Sequence, residues 1–216
     1  TRSTVAALST DKCEIMSGIA VAFGRTPMGM AYAAHDIQVL SNGRFQLGLG
    51  SQVKPHITRR YSMPWSHPAP RMKEYIQALH AIWDNWYEGK PLKFEGEFYH
   101  HNLMTPEFTP LELDIGRPKV HLGAVGPFMT KVGGEVADGL VTHSFTTPEY
   151  MKAVTLPAIA AAVAKRDMDR KDFQVTTVPF VATGETEESL KAAIHFWRRK
   201  VAFYCSTPAY RPVLGH

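Results

Sequence analysis

Five short apolar runs alternate along the chain with five helical patterns, and this alternation constrains the fold more than any other feature. The runs lie near residues 13–23, 44–50, 118–125, 139–143 and 173–183. Most are apolar throughout, as expected for parallel strands buried on both faces. Strand–helix alternation with short connections predicts right-handed βαβ units around a parallel sheet. The predicted fold class is therefore α/β.

The helical patterns are the clearest local signals. In residues 70–87 the apolar side chains recur at three- and four-residue steps, which predicts an amphipathic helix. A similar stripe runs from Leu190 to Tyr204 and follows Thr186, a residue type that caps helix N-termini. Further helices are predicted near 27–41, 127–137 and 148–166.

Residues 51–69 and 88–117 interrupt the alternation and are too long for simple connectors. We interpret them as insertions in a single domain that spans residues 1–216, since no repeat or linker divides the chain. Five strand–helix units are fewer than the eight of a closed (β/α)8 barrel. A doubly wound open sheet and a partial barrel both remain compatible with the pattern. The glycines at 48 and 50 lack the third glycine of a dinucleotide fingerprint.

The composition argues against several classes of binding partner. The net charge of +4 comes from scattered basic residues and predicts no nucleic-acid binding. No apolar run approaches the roughly 20 residues that cross a bilayer, so no membrane partner is expected. Cys13 and Cys205 are far apart, and we predict reduced, buried thiols in a cytoplasmic protein. The histidines fit no compact ligand motif, so no metal site is predicted.

Two apolar runs end in glycine and lead into helical segments, at residues 44–51 and 121–127. Glycine at the carboxyl end of a strand lets backbone N–H groups approach a bound group closely. Pro127 suits the first position of a helix, where its missing N–H costs nothing. The free donors at such a helix start favour a phosphate.

The chain resembles the bacterial luciferase-like family of flavin- and deazaflavin-dependent oxidoreductases. The resemblance rests on residues 17–23, 40–51, 71–83 and 124–139, which occur in the family's order across nearly the whole chain. Within that family the chain is most similar to the branch that depends on the deazaflavin coenzyme F420.

The resemblance implies a TIM barrel that is incomplete in this chain. The five strands would correspond to strands three to seven of the family pattern, with the first two strands and the eighth absent. Family members usually place a proton-handling residue at the end of the second strand, so no residue here inherits that catalytic role. The sequence would be either an incomplete record or a shortened relative, and a homodimer is expected by analogy.

The resemblance also implies positions for a cofactor. Gly18 and Ile19 match a bulge with a cis peptide that supports the tricyclic ring, although a glycine at a buried packing contact is an equally good interpretation. Trp65 is a candidate wall of the substrate pocket, and His143 is a weak catalytic candidate. The remaining candidate cofactor-binding residues are Gly50, Ser51, Val125, Gly126, Pro127, Phe128, Met129, His143, Ser144 and Thr146.

These features favour an F420-dependent oxidoreductase that moves a hydride between C5 of the deazaflavin and a small organic substrate. An FMN-dependent flavin monooxygenase is the alternative, because both cofactors share a tricyclic ring and a phosphate. A third interpretation comes from another class. In it, the chain is a non-catalytic or truncated barrel that acts as a binding or structural subunit.

Overall fold

The computed structural model describes residues 2–111 and 114–215. Its strands include six parallel segments of one sheet and a two-stranded antiparallel hairpin. The strands are β1 Ile15–Met16, β2 Ala20–Val21, β3 Phe45–Gly50, β4 Phe94–Glu95, β5 His100–His101, β6 Lys119–Ala124, β7 Gly139–Thr142 and β8 Gln174–Thr177. The helices are α1 Arg2–Ser9, α2 Pro27–Leu40, α3 Pro68–Glu88, α4 Pro127–Val136, α5 Pro148–Tyr150, α6 Leu156–Val163 and α7 Glu187–Cys205.

The large sheet has the strand order β1-β3-β6-β7-β8, with β2 also paired to β3, and every pairing in it is parallel. The sheet curls into a half-barrel that matches an incomplete TIM barrel. The predicted α/β class and the partial-barrel alternative are therefore confirmed, and the doubly wound open sheet is not observed.

Local sequence explains where the main helices begin and end. Thr26 caps α2, because its side chain accepts the amide N–H of Gly29. Gly89 ends α3 in the left-handed conformation, with φ of 66°. The predicted apolar stripe of α3 packs into the core, where Tyr75 and Trp83 are fully buried. The helices thus lie where the 3.6-residue pattern places them.

The first and last predicted strands are shorter than expected. The run at 13–23 forms two separate two-residue strands, because the chain bulges between Ser17 and Ile19. The run at 173–183 forms a strand only to Thr177, since Pro179 lacks the N–H that the parallel ladder needs.

Some helices and strands of the structure were not predicted from the sequence. Helix α1 and the hairpin β4–β5 have no clear signal in the sequence, and the hairpin lies within the insertion at 88–117. The predicted helix at 148–166 contains a π-helical stretch, Met151–Thr155, and ends at Val163. In the part of α7 that the structure describes, no side chain is buried, although the stripe predicts a packed face.

The prediction of buried cysteines is wrong. Cys13 is exposed in the loop before β1, and Cys205 is only partly buried because it ends α7, a helix without buried side chains in the part that the structure describes. Among the helices of residues 2–111 and 114–215, none combines the length and apolarity needed to cross a membrane.

Candidate cofactor site

The predicted site residues lie along one edge of the sheet. Strands β1–β2, β3, β6 and β7 are neighbours and run in parallel, so their carboxyl ends form a continuous edge. The bulge follows β1, Gly50 ends β3, the turn at 125–126 follows β6, and His143 follows β7. In barrel-type α/β proteins this edge carries the functional residues.

The bulge after β1 is packed onto glycines of two neighbouring strands. The peptide bond between Gly18 and Ile19 is cis. The Ile19 side chain lies against Gly50 and Gly123, where an added Cβ would lie 2.7 Å and 3.1 Å from Ile19 carbon atoms. Gly18 is exposed, and no atom lies within 4 Å of the position that its Cβ would take. The Ile19 side chain therefore covers the two glycines, and Gly18, which has no side chain, leaves the adjacent surface open.

Gly48 of β3 also packs closely against this bulge. A Cβ at Gly48 would overlap the carbonyl oxygen of Ser17, so only glycine permits this approach. The Ser17 hydroxyl donates a hydrogen bond of 2.9 Å to the Gly48 carbonyl. The close packing contacts thus belong to Gly48, Gly50 and Gly123, and the interpretation of Gly18 as a glycine at a buried packing contact is wrong. The cis peptide that the resemblance implies is present between Gly18 and Ile19.

The turn after β6 presents unused backbone donors. Gly126 is the N-cap of α4, and its lack of a side chain leaves the first turn without a side-chain cap. The N–H groups of Phe128 and Met129 lie in the first turn, where no intrahelical acceptor exists. No atom lies within 4 Å of a Cβ built on Gly126, so there is space beside these donors. The arrangement suits an anion.

The side chains of this turn do not all face the site. Phe128 is 80% exposed, whereas Met129 packs against the apolar core. Phe128 and Met129 therefore contribute their backbone N–H groups, and not their side chains, to the candidate anion site. Sequence reasoning missed Tyr150, whose hydroxyl donates a hydrogen bond of 3.3 Å to the Val125 carbonyl. The Thr147-Pro148 pair signals the start of the helix that carries Tyr150, but no local signal indicates its contact with the turn.

His143 is partly buried beside the turn, and with Val125, Thr146 and Tyr150 it lines a small cavity. Its Nδ1 accepts the amide N–H of Phe145 at 3.0 Å. Burial lowers the pKa of the imidazole, which favours the neutral ring. In the described residues, the hydroxyls of Ser144 and Thr146 have no hydrogen-bond partner. They remain available to a ligand.

Trp65 lies beside the end of β2 and away from the turn. Its ring meets Phe23 edge-on, with 5.8 Å between centroids. Arg71 anchors the segment next to Trp65. It donates hydrogen bonds of 2.9 Å to the Pro64 carbonyl and to the Tyr99 hydroxyl. Arg71 thereby links the hairpin that carries Tyr99 to the segment that carries Trp65.

His80 lies outside the candidate site. Its Nε2 is buried in α3 without a hydrogen-bond partner, and burial lowers the pKa of the ring to about 4. It lies at the opposite edge of the sheet, near Arg117 and Asp138. Among residues 2–111 and 114–215, no three His, Cys, Asp or Glu side chains are grouped closely enough to hold a metal ion.

Comparison with known proteins identifies the family. The family described as luciferase-like monooxygenase matches residues 1–215, and the chain belongs to this family. The family resemblance seen in the sequence is therefore confirmed.

The chain is 48% identical to an uncharacterised protein of Mycobacterium tuberculosis strain H37Rv, over 97% of this chain and 62% of that protein. It is 27% identical to the 5,10-methylenetetrahydromethanopterin reductase of Archaeoglobus fulgidus, over 88% of this chain and 53% of the reductase. The fold is similar to a solved F420-dependent secondary alcohol dehydrogenase, with a TM-score of 0.75, 18% identity and coverage of 91% and 58%. The chain thus spans about three fifths of these proteins.

Proposed function

We propose that this chain is part of an F420-dependent oxidoreductase that transfers a hydride between the deazaflavin and a small organic substrate. The observation that carries the proposal is that the same sheet edge combines an open helix start at Gly126 with a bulge in which Ile19 packs over Gly50 and Gly123. The first suits a phosphate and the second suits the face of a planar ring. Relatives that use F420 support this choice of cofactor.

The residues present fit such a cofactor. The N–H groups at the start of α4, with Ser144 and Thr146, would hold the phosphate, and Ile19 would support the ring. Trp65 would form an apolar wall that excludes water from the reacting carbon. When bound, the deazaflavin supplies or accepts the hydride at C5. FMN is the second candidate, supported by the family's monooxygenase members.

We further propose that residues 1–216 form one domain and that the protein is a cytoplasmic homodimer. The analogy with the family supports these three proposals. Sedimentation of the purified protein would test the dimer, since a monomer at all concentrations would contradict it.

Binding of oxidised F420 and of FMN, measured side by side by calorimetry, tests the proposed function. We expect preferential F420 binding in the wild type. Gly126→Asp should weaken it by roughly 100-fold or more, because a carboxylate would lie beside the bound phosphate. Gly126→Ala is the matched control and should change affinity less than about threefold, since its Cβ meets open space. Preferential FMN binding would favour the monooxygenase, and a folded wild type that binds neither cofactor would contradict both.

A further inference from the structure

The hydrogen bonds of His143 restrict what its ring can do. A backbone N–H can only donate, so the Nδ1 that receives the Phe145 N–H must present a lone pair. In the neutral ring the single proton therefore lies on Nε2. Nε2 could act as a base only if the proton moved to Nδ1, where it would oppose the Phe145 N–H.

Two tyrosine rings fix the orientation of this imidazole. The centroid of Tyr204 lies 4.7 Å from the His143 ring at an interplanar angle of 75°, and that of Tyr210 lies 4.6 Å away at 31°. Tyr204 belongs to α7, and Tyr210 belongs to the 3-10 segment Pro208–Gly215. The carboxyl-terminal elements thus contact the ring from two directions, although α7 buries none of its described side chains.

The electrostatic surroundings agree with a neutral donor. Desolvation lowers the pKa of His143, and among residues 2–111 and 114–215 no charged group opposes this effect. A histidine that serves as a general base is commonly oriented by a carboxylate on its other nitrogen. Here a backbone amide takes that place. The cavity that His143 lines also reaches Val125, the residue that leads into the open helix start.

We propose that Tyr204 and Tyr210 are positioning residues that, with the Phe145 amide, hold His143 as an Nε2–H donor to the phosphate bound at the start of α4. His143 then binds an anion and moves no proton. This inference rests on the proposed function for the identity of the phosphate. The tautomer and its support by the tyrosines are independent of it.

Nuclear magnetic resonance of the full chain with 15N-labelled histidine tests the tautomer without any cofactor. At neutral pH we expect the His143 Nε2 to carry a proton and Nδ1 to carry none. A ring protonated on Nδ1 alone, or on both nitrogens, would overturn the proposal. Tyr210→Phe should leave the tautomer unchanged because it keeps the ring. Tyr210→Ala should give a mixture of tautomers, and a folded Tyr210→Ala variant with the wild-type tautomer would refute the role of that tyrosine. Tyr204→Phe and Tyr204→Ala test the other tyrosine in the same way.

Titration with inorganic phosphate then tests the donor role. We expect the Nε2 resonance of His143 to shift with phosphate in the wild type and to remain unchanged in Gly126→Asp. In calorimetry, His143→Gln keeps an N–H donor near the Nε2 position and should bind F420 within about threefold of the wild type. His143→Asn places its amide near Nδ1 and should lose about tenfold, or 1.4 kcal/mol.

If the wild type binds neither cofactor, the proposed function is contradicted but the donor role of His143 is not. The titration with inorganic phosphate still decides that role. An Nε2 resonance that does not respond to phosphate would contradict the donor role. Equal F420 affinities of the glutamine and asparagine variants would contradict it as well. His56→Gln is the matched control for the substitution itself, since His56 is exposed and distant from the turn in sequence.

Discussion

The two edges of the parallel sheet use polar groups in opposite ways. At the amino edge Arg117 forms a bidentate ion pair with Asp138, whose carboxylate also accepts the Val120 N–H at 2.7 Å. Arg44 and Arg166 donate to backbone carbonyls there. At the carboxyl edge, the first-turn N–H groups of α4 and the hydroxyls of Ser144 and Thr146 have no such partner within the part of the chain that the structure describes. The hydrogen-bonded arginines and Asp138 stabilise the fold at the amino edge, where the buried Nε2 of His80 is an exception without a partner in the described residues. The free donors at the carboxyl edge are available to a ligand.

The largest effect on stability is expected at the amino edge, from Asp138→Ala. This change removes the carboxylate that pairs with the Arg117 guanidinium and that accepts the Val120 N–H. Because the Arg117 side chain is 36% exposed and therefore partly screened by water, we expect the free energy of unfolding to fall by about 2.5 kcal/mol, less than for a fully buried pair, measured by urea denaturation. Glu187→Ala, which breaks the exposed pair with Lys191, is the control and should change it by less than about 0.5 kcal/mol. Equal losses in the two variants would contradict the comparison.

A pH dependence should come from the same edge through His80. The unfolded chain protonates this histidine near its ordinary pKa of 6.5, whereas the folded chain keeps it neutral down to about 4. The unfolded state then binds more protons, so stability falls as the pH drops from 6.5 towards 4. Asp138, whose pKa is lowered, loses its contribution only at still lower pH. We expect a loss of roughly 2 kcal/mol from His80 over this range.

Thermal unfolding at pH 7 and pH 4.5 measures this effect. His80→Gln should reduce the difference between the two melting temperatures, while His56→Gln at the surface should leave it unchanged. If His80→Gln shows the full wild-type dependence, other groups are responsible.

The smallest effects on stability are expected at the carboxyl edge. Ser144→Ala and Thr146→Ala remove hydroxyls without a partner in the described residues, so each should change the free energy of unfolding by less than about 0.5 kcal/mol. The same variants should weaken F420 binding by roughly threefold to tenfold, because each hydroxyl would donate to the phosphate. A stability loss above 1 kcal/mol would show that this edge also stabilises the fold.

Features of the site that depend on residues close in sequence could be predicted, whereas features that depend on contacts between distant residues could not. Pro127 after a glycine-ended strand indicated the helix start correctly, because a helix cap depends on a few consecutive residues. The exposed side chain of Phe128 and the contact between Tyr150 and Val125 could not be predicted. They depend on how separate elements pack. The hairpin at 94–101 was missed because its anchor is the Glu74 carboxylate, which accepts three N–H groups from distant residues.

The sequence alone determined the α/β class, the order of the main strands and helices and, through residues 17–23 and 40–51, the family. These properties reside in hydrophobic periodicity and in local motifs, which a linear chain displays directly. Only the tertiary structure decided that Ile19 lies across Gly50 and Gly123, that the Nε2 of His80 is buried and that two tyrosine rings contact His143. Those contacts join residues far apart in the chain, and their energies depend on burial and geometry that exist only after folding.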